Sequence, residues 1–396
     1  KLALGYQHTC AILDTGDMKC WGGNVEGQLG DGSTTSTWGV VPTTPIDLGT
    51  GRTAVAISAG YSHTCAILDT GEAKCWGSNN YGQLGDGSTV ATNTPSSTAI
   101  DLGTGRTAVA ISAGDYHTCA ILDNGEAKCW GRDNQGQLGD GGSNTDTNAP
   151  SSTAIDLGTG RTAVAISAGT QNTCAILDTG DLKCWGSDNN GQLGDGGSNT
   201  ATGQPSSTAI NLGTNRTAVA VSTGTYHTCA ILDNGDLKCW GRNYFKQTGY
   251  SSSNILEPRT DAVDLGSGRT VVAMSAGSAH TCAILDNGSA KCWGQSTYGQ
   301  LGYPNGCNNG CYASGAGPID LGTGRTPVAV DTSAGSSDAK SCVILDNGEA
   351  KCWGGNGGGS LGNTSASSPQ MVPLLVSGNN TWDSSTTASS GSSGGM

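Results

Sequence analysis

Cysteines occur in pairs with a constant separation of ten positions, one pair in each of seven repeats of about 55 residues. Two thiols at a fixed spacing can form a disulfide or supply half of a metal site. Zinc knuckles usually place their cysteines about two to four residues apart, so nine intervening residues favour disulfides. The predicted pairs are Cys10 with Cys20, Cys65 with Cys75, Cys119 with Cys129, Cys174 with Cys184, Cys229 with Cys239, Cys282 with Cys292, and Cys342 with Cys352.

Two further cysteines, Cys307 and Cys311, have a spacing closer to that of a metal half-site. No second pair is left to complete such a site, so we expect an eighth disulfide that closes a loop. The sequence therefore predicts no metal site from its cysteines.

Histidines fall on one equivalent position of the repeat, namely His8, His63, His117, His227 and His280, while Asn172 and Lys340 stand there in the other two copies. Seven equivalent positions lie too far apart to share one ion at about 2 Å, so we expect a structural hydrogen-bonding role. Near-identical repeats also cannot bring unlike catalytic groups together, and no phosphate loop, nucleophile elbow or zinc-protease motif is present. We predict no enzyme activity, no cofactor and no metal.

The segments that position these residues read as short strands. In the copy that spans residues 99–139, we predict four strands, and Asp123-Asn124-Gly125 forms the loop of a hairpin. This register places Cys119 opposite Cys129, at a Cα separation of about 4.5 to 5.5 Å that a disulfide tolerates. Each unit is then cross-linked internally.

Seven four-stranded units can close radially into a β-propeller or stack linearly into a solenoid. The opening residues 1–5 match one strand of the repeat, and residues 372–376 match the strand that would precede it. We therefore predict an all-β, seven-bladed β-propeller of four-stranded blades, closed by N- and C-terminal strands that complete one blade. The predicted domains are a propeller over residues 1–377 and a Ser/Thr/Gly-rich linker or tail over residues 378–396.

The repeats resemble the regulator of chromosome condensation family. The resemblance is carried by Ala-Gly-x-x-His-Thr-Cys-Ala-Ile-Leu, then Lys-Cys-Trp-Gly, then Asn-x-x-Gly-Gln-Leu-Gly, as at residues 79–85, and it covers nearly the whole chain. It implies a seven-bladed propeller. It implies less about function, since propellers host unrelated activities, and the paired cysteines and acidic balance depart from the family's nuclear exchange factor.

Composition indicates a location and excludes some partners. A net charge of −13 disfavours nucleic acid and anionic lipid surfaces. No apolar run approaches the roughly 18 to 20 residues needed to span a membrane. Sixteen cysteines in local pairs, and a start at Lys1 without a leader, suggest a processed protein that is extracellular or at the cell surface.

Departures from the repeat concentrate in the fifth and sixth units, together with one aromatic residue in the first long loop. The candidate interface consists of Tyr244, Phe245, Lys246, Tyr250, Tyr303, Tyr312 and Trp38. Candidate glycosylation sites are the sequon residues Asn215, Asn287, Asn363 and Asn379.

The function predicted from these features is a non-enzymatic extracellular structural or adhesive protein, such as a subunit of a surface layer or fibre. The alternative is a secreted protein-binding module or enzyme inhibitor that uses loops of the fifth and sixth blades. The expected partner is a protein, which includes other copies of this chain in a homopolymer, and glycans could be attached.

Overall fold

A computed structural model describes residues 1–142, 144–197, 201–303, 310–335, 337–366, 368–377 and 392–393. Its strands are β1 (Leu2–Leu4), β2 (His8–Ile12), β3 (Met18–Gly22), β4 (Ala54–Ala59), β5 (His63–Leu68), β6 (Ala73–Gly77), β7 (Ala108–Ala113), β8 (His117–Leu122), β9 (Ala127–Gly131), β10 (Ala163–Ala168), β11 (Asn172–Leu177), β12 (Leu182–Gly186), β13 (Ala218–Thr223), β14 (His227–Leu232), β15 (Leu237–Gly241), β16 (Val271–Ala276), β17 (His280–Leu285), β18 (Ala290–Gly294), β19 (Pro327–Thr332), β20 (Lys340–Leu345), β21 (Ala350–Gly354), β22 (Gln370–Leu375) and β23 (Ser392–Ser393). Two short 3-10 helices cover Ala313–Gly315 and Gly357–Gly359.

The strands form seven antiparallel sheets, each built around three consecutive strands of one repeat, and we number these sheets as blades 1 to 7 in chain order. The predicted hairpin register is confirmed, because Cys119 pairs with Cys129 and Ile121 with Ala127. Gly125 adopts a φ of 79° and donates its N–H to the Leu122 carbonyl at 2.9 Å, which closes the loop.

Among the described residues, the predicted fourth strand is regular only in blade 7, as β22, and not in blades 1 to 6. Its segment, at Ile100 for instance, makes one backbone bond at 2.9 Å to Ala73 in the third strand of the preceding blade. Asp101 then accepts the Gly103 N–H at 2.9 Å, and Gly103 has a φ of 108°. This Asx-type turn ends the extended run, so the repeating unit is a three-stranded sheet with a loosely attached outer segment.

The predicted sharing of one blade by the two chain ends is wrong. Strand β1 pairs with β2 in blade 1, whereas β22 pairs with β21 in blade 7, where Leu374 lies opposite Cys352. Residues 372–376 are held in the last blade as the outer segments are held in the others. Val376 donates its N–H to the Ala350 carbonyl at 2.9 Å, just as Ile100 donates to Ala73. Strand β23 pairs with β13, with Ser392 opposite Ser222.

Neighbouring blades are joined by one repeated contact around a tryptophan that is 0% exposed. Trp130 donates its indole N–H at 3.0 Å to the Gln83 carbonyl of the preceding blade, and Thr118 donates its hydroxyl to that carbonyl at 2.8 Å. Gly85 lies against this ring, where a Cβ would meet the indole nitrogen at 2.5 Å, so only glycine fits. One loop carbonyl thus fixes two side chains of the next blade.

The first and last blades make the equivalent contact. Trp21 and Thr9 donate to the Ser360 carbonyl at 3.0 and 2.8 Å, respectively. Two residues unique to this junction add to it: Lys340 donates to the Gly5 carbonyl at 2.6 Å, and Asp331 accepts the Leu4 N–H at 2.9 Å. Both side chains are fully buried.

Disulfides join the second and third strands of every blade. Their Cα separations are 4.0 to 4.1 Å, and the bridges are Cys10–Cys20, Cys65–Cys75, Cys119–Cys129, Cys174–Cys184, Cys229–Cys239, Cys282–Cys292 and Cys342–Cys352. The predicted eighth pair lies partly outside the described residues, since Cys307 is not among them, while Cys311 is buried and pairs through its backbone with Gly294.

Candidate functional site

The propeller has two faces with different construction. We call one the turn face; it carries the turns between the first and second strands of each blade, together with the loops that leave the third strands. These two kinds of segment are adjacent, because Arg132 donates its N–H to the Tyr116 carbonyl at 2.9 Å. We call the opposite one the hairpin face; it carries the hairpins that join the second and third strands.

Buried histidines lie directly beneath the turn face and join successive blades. His117 contacts the Thr173 hydroxyl of the next blade through Nε2 at 2.9 Å, and Thr173 donates to the Gln137 carbonyl at 2.8 Å. Because that hydroxyl already donates, the histidine supplies the proton in their shared bond. Burial lowers the pKa of His117 to about 3, so the ring is neutral.

The same contact is made by the other histidines, and the structure assigns Asn172 no equivalent bond. Both amide atoms of Asn172 lack a hydrogen-bond partner, and the side chain is buried. No group of three or more His, Cys, Asp or Glu side chains in the described part of the chain is arranged to hold a metal ion.

Tyrosines from blades 1 to 3 form a cluster on the turn face. Rings of Tyr6 and Tyr61 stack with centroids 4.3 Å apart, and Tyr61 and Tyr116 stack at 5.5 Å. The Arg132 guanidinium lies 4.8 Å from the Tyr81 centroid and 5.5 Å from that of Tyr116. We call these five residues the first aromatic cluster.

A second aromatic cluster lies on blades 5 and 6. Its members are Tyr226, Arg242, Tyr244, Phe245, Lys246 and Tyr312. The Arg242 guanidinium is 5.0 Å from the Tyr226 centroid, and Tyr244 meets Phe245 edge to face at 4.8 Å. The Lys246 ammonium lies 5.8 Å from the Tyr312 centroid. Tyr244 is 72% exposed, so the cluster presents aromatic surface to solvent.

The cations of the two clusters lack carboxylate partners. Among the described residues, no ion pair joins Arg132, Arg242 or Lys246 to an Asp or Glu side chain. Each cation lies instead over a tyrosine ring, an arrangement that leaves its charge available to another molecule.

A cavity opens between the turns at the centre of the turn face. Its walls include Tyr6, Tyr61, Asp115 and the small residues at the ends of the innermost strands. Asp115 is 8% exposed, and burial raises the pKa of its carboxyl to about 6. The Asp115 charge also contributes to raising the pKa values of Tyr61 and Tyr116, behind the larger effect of burial.

The hairpin face repeats one ionic contact. Arg106 lies 3.2 Å from Asp123, and equivalent pairs occur in blades 2 to 7 at 3.2 to 3.6 Å. The lysine that precedes the second cysteine is also occupied, since Lys128 donates to the Leu102 carbonyl at 3.0 Å. The repeated Arg, Asp and Lys side chains of this face are therefore used within the repeat.

The structure brings only part of the predicted interface together. Tyr244, Phe245, Lys246 and Tyr312 belong to the second aromatic cluster, with Tyr312 42% exposed. Trp38 is exposed elsewhere, on a loop that contacts blade 7. Its backbone N–H donates to the Gly358 carbonyl at 3.0 Å.

Two predicted interface residues have structural roles instead. Tyr250 is 8% exposed and donates its hydroxyl to the Asp261 carbonyl at 2.9 Å. Tyr303 is partly buried and donates to the Gly317 carbonyl at 2.6 Å. Aromatic residues at departures from the repeat suggest an exposed interface, whereas the rings of Tyr250 and Tyr303 pack with the hydrophobic core.

The predicted glycosylation sites lie in different settings. Asn215 and Asn287 are exposed, and Asn363 is half-buried and donates to the Leu375 carbonyl at 2.7 Å. Asn379 lies outside the described residues. Attachment of glycans at these sites stays a prediction.

Sequence reasoning missed all five residues of the first aromatic cluster. Tyr6, Tyr61 and Tyr116 occupy the two positions of the repeat written as x-x between Ala-Gly and His-Thr-Cys. Variation at two adjacent positions inside an otherwise constant segment was the signal that could have found them.

Family comparison agrees with this architecture. The description "RCC1-like domain" matches residues 91–395, and "Regulator of chromosome condensation (RCC1) repeat" matches residues 1–28, 54–83 and 16–67. The chain belongs to the RCC1-like repeat family. Its fold class is accordingly all-β, with about seven propeller blades.

Individual relatives extend this result. The chain is similar to the ultraviolet-B receptor UVR8 of Arabidopsis thaliana, with 30% identity over 77% of this chain and 67% of the receptor. It is also similar to the mitochondrial RCC1 domain-containing protein RUG3 of the same plant, with 29% identity over 76% of this chain and 66% of that protein. The structure of Prp20p from Saccharomyces cerevisiae superposes with a TM-score of 0.76 and 20% identity over 93% of this chain and 88% of Prp20p.

These relatives correct two predictions. An extracellular structural or adhesive role is wrong, because the relatives include a receptor for ultraviolet-B light. An extracellular or cell-surface location is wrong as well, since the relative RUG3 is a mitochondrial protein, and this also removes the secreted alternative. No helix among the described residues is long and apolar enough to cross a membrane.

Proposed function

We propose that this chain is a non-enzymatic regulatory propeller of the RCC1-like family that binds a partner protein through its turn face. The observation that carries this proposal is the concentration there of aromatic rings and of Arg132, Arg242 and Lys246, which form no ion pair with a carboxylate in the described part of the chain. Exposed aromatic residues and arginines are enriched among the residues that contribute most to protein interfaces.

A closed ring of seven blades would hold these loops in fixed positions. The contacts of Trp21 and Thr9 with Ser360, and of Lys340 with Gly5, support closure between blades 7 and 1. A rigid ring lowers the entropy lost when a partner binds, because the contact loops are already ordered.

The buried histidines form hydrogen bonds between blades, and this supports a non-enzymatic role. His8, His63, His117, His227 and His280 are all fully buried, and each contacts a hydroxyl of the next blade. A general base must reach its substrate, and these rings are neutral, occupied and shielded from solvent.

Site-specific photo-cross-linking tests the proposal. The photoreactive residue p-benzoylphenylalanine replaces Tyr244 on the turn face in one chain and the exposed Asn124 on the hairpin face in a matched control. Both chains are expressed in the cells that make the protein and are irradiated there. We expect a discrete protein adduct from position 244 that disappears when Arg242→Ala is added, and no such adduct from position 124. Adducts from position 124 alone, or none from position 244, would contradict the proposal.

A further inference from the structure

The cavity at the centre of the turn face contains one buried anion. Its walls come from the ends of the innermost strands and the turns that follow them, in every blade. At the first turn position, the other described residues are neutral: Tyr6, Tyr61, Thr170, Thr225 and Ser278. Asp115 alone brings a carboxylate there, and the walls include no Lys, Arg or His.

Among the described residues, no cationic side chain pairs with this carboxylate, and the neutral Thr170 side chain interacts with it and opposes the rise of its pKa. Of the cations that flank Asp115 in the chain, Arg106 pairs with Asp123, and Lys128 donates to the Leu102 carbonyl. Arg132 lies over the rings of Tyr81 and Tyr116. The segment 378–396 contains no Lys, Arg or His, so it cannot provide a counter-ion either. An ionised carboxylate that is more than nine-tenths buried without a counter-ion is costly, and burial accordingly raises its pKa to about 6.

Aromatic rings stand beside the carboxylate. Tyr6 and Tyr61 line the cavity with their rings stacked at 4.3 Å, and Tyr116 continues the stack. Asp115 lines the same cavity as Tyr6 and Tyr61 and directly precedes Tyr116 in the chain. Burial, and behind it the Asp115 charge, raises the pKa of Tyr116. Ring faces attract cations, and a carboxylate beside them adds a direct charge pair.

We propose that the cavity binds a Lys or Arg side chain of the partner protein, with its ammonium or guanidinium group paired with Asp115 beside the rings of Tyr6 and Tyr61. This inference rests on the proposed function, because it assigns a specific pocket to the same turn face. It identifies the partner by chemistry: a protruding basic side chain enters the centre of the ring, while neighbouring parts of the partner meet the two aromatic clusters.

The binding test uses small cations on the full chain. Titrations with n-butylammonium and n-propylguanidinium are followed by saturation-transfer NMR, with n-pentanol as the neutral probe. We expect the wild-type chain to bind at least one cation, and Asp115→Asn to weaken that binding at least tenfold without changing the response to n-pentanol. Asp115→Thr, which installs the residue found at Thr225 in blade 5, should behave in the same way.

The matched control is Asp133→Asn. Asp133 is also buried and has a pKa raised to about 6 chiefly by burial, but it accepts the Leu138 N–H in its own loop at 2.9 Å. Asn79 makes the same bond to Leu84 in blade 2, so the substitution preserves the structure. We expect cation binding to be unchanged in this variant. Failure of the wild-type chain to bind either cation, or equal binding by the Asp115 variants, would overturn the proposal.

A second arm shows whether the cation belongs to the partner. Asp115→Asn is combined with the photoreactive residue at position 244. We expect a loss of at least fivefold in adduct yield, since the partner loses its charge pair. An undiminished adduct would reject a partner side chain as the cation while leaving partner binding at the turn face intact. Loss of the adduct in the parent chain itself would instead overturn the proposed function.

Discussion

The two faces of this propeller are built from the same repeats, yet they use their charged and aromatic residues differently. On the hairpin face, Arg106 and its equivalents pair with aspartates at 3.2 to 3.6 Å. On the turn face, Arg132 and Arg242 lie over tyrosine rings and pair with no carboxylate among the described residues. Repetition therefore preserves contacts that hold the blades, while the varied positions remain available for a partner.

Acidification should have the largest effect, because the histidine layer that lies beneath the turn face has no counterpart under the hairpin face among the described residues. Burial lowers the pKa of each histidine beneath the turn face to about 3, for His8, His63, His117, His227 and His280. Between pH 6.5 and 3 the unfolded chain therefore binds protons that the folded chain does not, and lower pH favours unfolding. Burial raises the pKa values of five carboxyl groups and acts in the opposite direction as pH falls; they are Asp115, Asp133, Asp188, Asp331 and Asp338.

We expect the five histidines to outweigh these carboxylates, because the pKa of each histidine lies further from its ordinary value than the pKa of Asp115, Asp133 or Asp188 does. Between pH 7 and pH 4, we expect the free energy of unfolding to fall by several kcal/mol in total. The slope should not exceed a few kcal/mol per pH unit. Urea denaturation at several pH values measures this. The variant His117→Asn should show a shallower dependence, and a stability that rises on acidification would refute the account.

Removal of one disulfide should destabilise the fold without altering the turn face. We expect Cys119→Ala combined with Cys129→Ala to lower the free energy of unfolding by about 2 to 3 kcal/mol, because the cross-link restricts the unfolded chain. Chemical denaturation of the oxidised proteins gives the change. Photo-cross-linking from position 244 should persist in this variant, and its loss would show that the two effects are not separable.

Binding should depend on one face only. For a partner identified by cross-linking, Arg242→Ala combined with Tyr244→Ala should weaken the complex at least tenfold, or about 1.4 kcal/mol. Arg106→Ala combined with Asp123→Ala on the hairpin face should change the Kd less than twofold. Isothermal titration calorimetry measures both values, and equal losses in the two variants would break the distinction between the faces.

Restoring the missing histidine should stabilise the layer under the turn face. In Asn172→His, the new ring can donate to the Thr228 hydroxyl of blade 5, which already donates to the Gln192 carbonyl at 2.8 Å. Gly169 precedes it as Gly114 precedes His117, so the close approach of the ring is tolerated. We expect a gain of about 0.5 to 1.5 kcal/mol in thermal or chemical denaturation. A loss of stability would show that Asn172 serves another purpose.

The smallest effect should come from one surface ion pair on the hairpin face. Arg106 and Asp123 have side chains about one-third exposed, with values of 35% and 36%. Solvent screens such a pair, so Arg106→Ala should lower the free energy of unfolding by less than about 1 kcal/mol. A larger loss would mean that this contact contributes more to the propeller than an ordinary surface pair.

Local signals in the sequence were enough for the hairpins and the family. The Asp-Asn-Gly loop predicted the register that places Cys119 opposite Cys129, because a short loop with one positive φ permits few alternatives. The fourth strand was overestimated, since apolar residues around Ile100 resemble a strand while the Asp101 side chain turns the backbone at Gly103. The position of the chain ends depended on that same segment, so the predicted shared blade failed with it.

The site required three-dimensional information. Tyr6 and Tyr61 are separated by a whole repeat in sequence but stack at 4.3 Å, because equivalent turns of adjacent blades meet at the centre of the face. Conversely, Tyr250 and Tyr303 stand among exceptional residues yet are held in the outer loops. Departure from a repeat identifies variable positions, whereas exposure depends on the packing of neighbouring blades.

Hydrogen exchange of the chain with and without its cross-linked partner tests the central claim most directly. If the turn face is the binding surface, peptides containing residues 58–63, 113–118 and 241–246 gain protection in the complex, and the hairpin peptides around residues 68–72 and 122–126 exchange at unchanged rates. Protection confined to the hairpin peptides would contradict the assignment of the turn face as the docking surface.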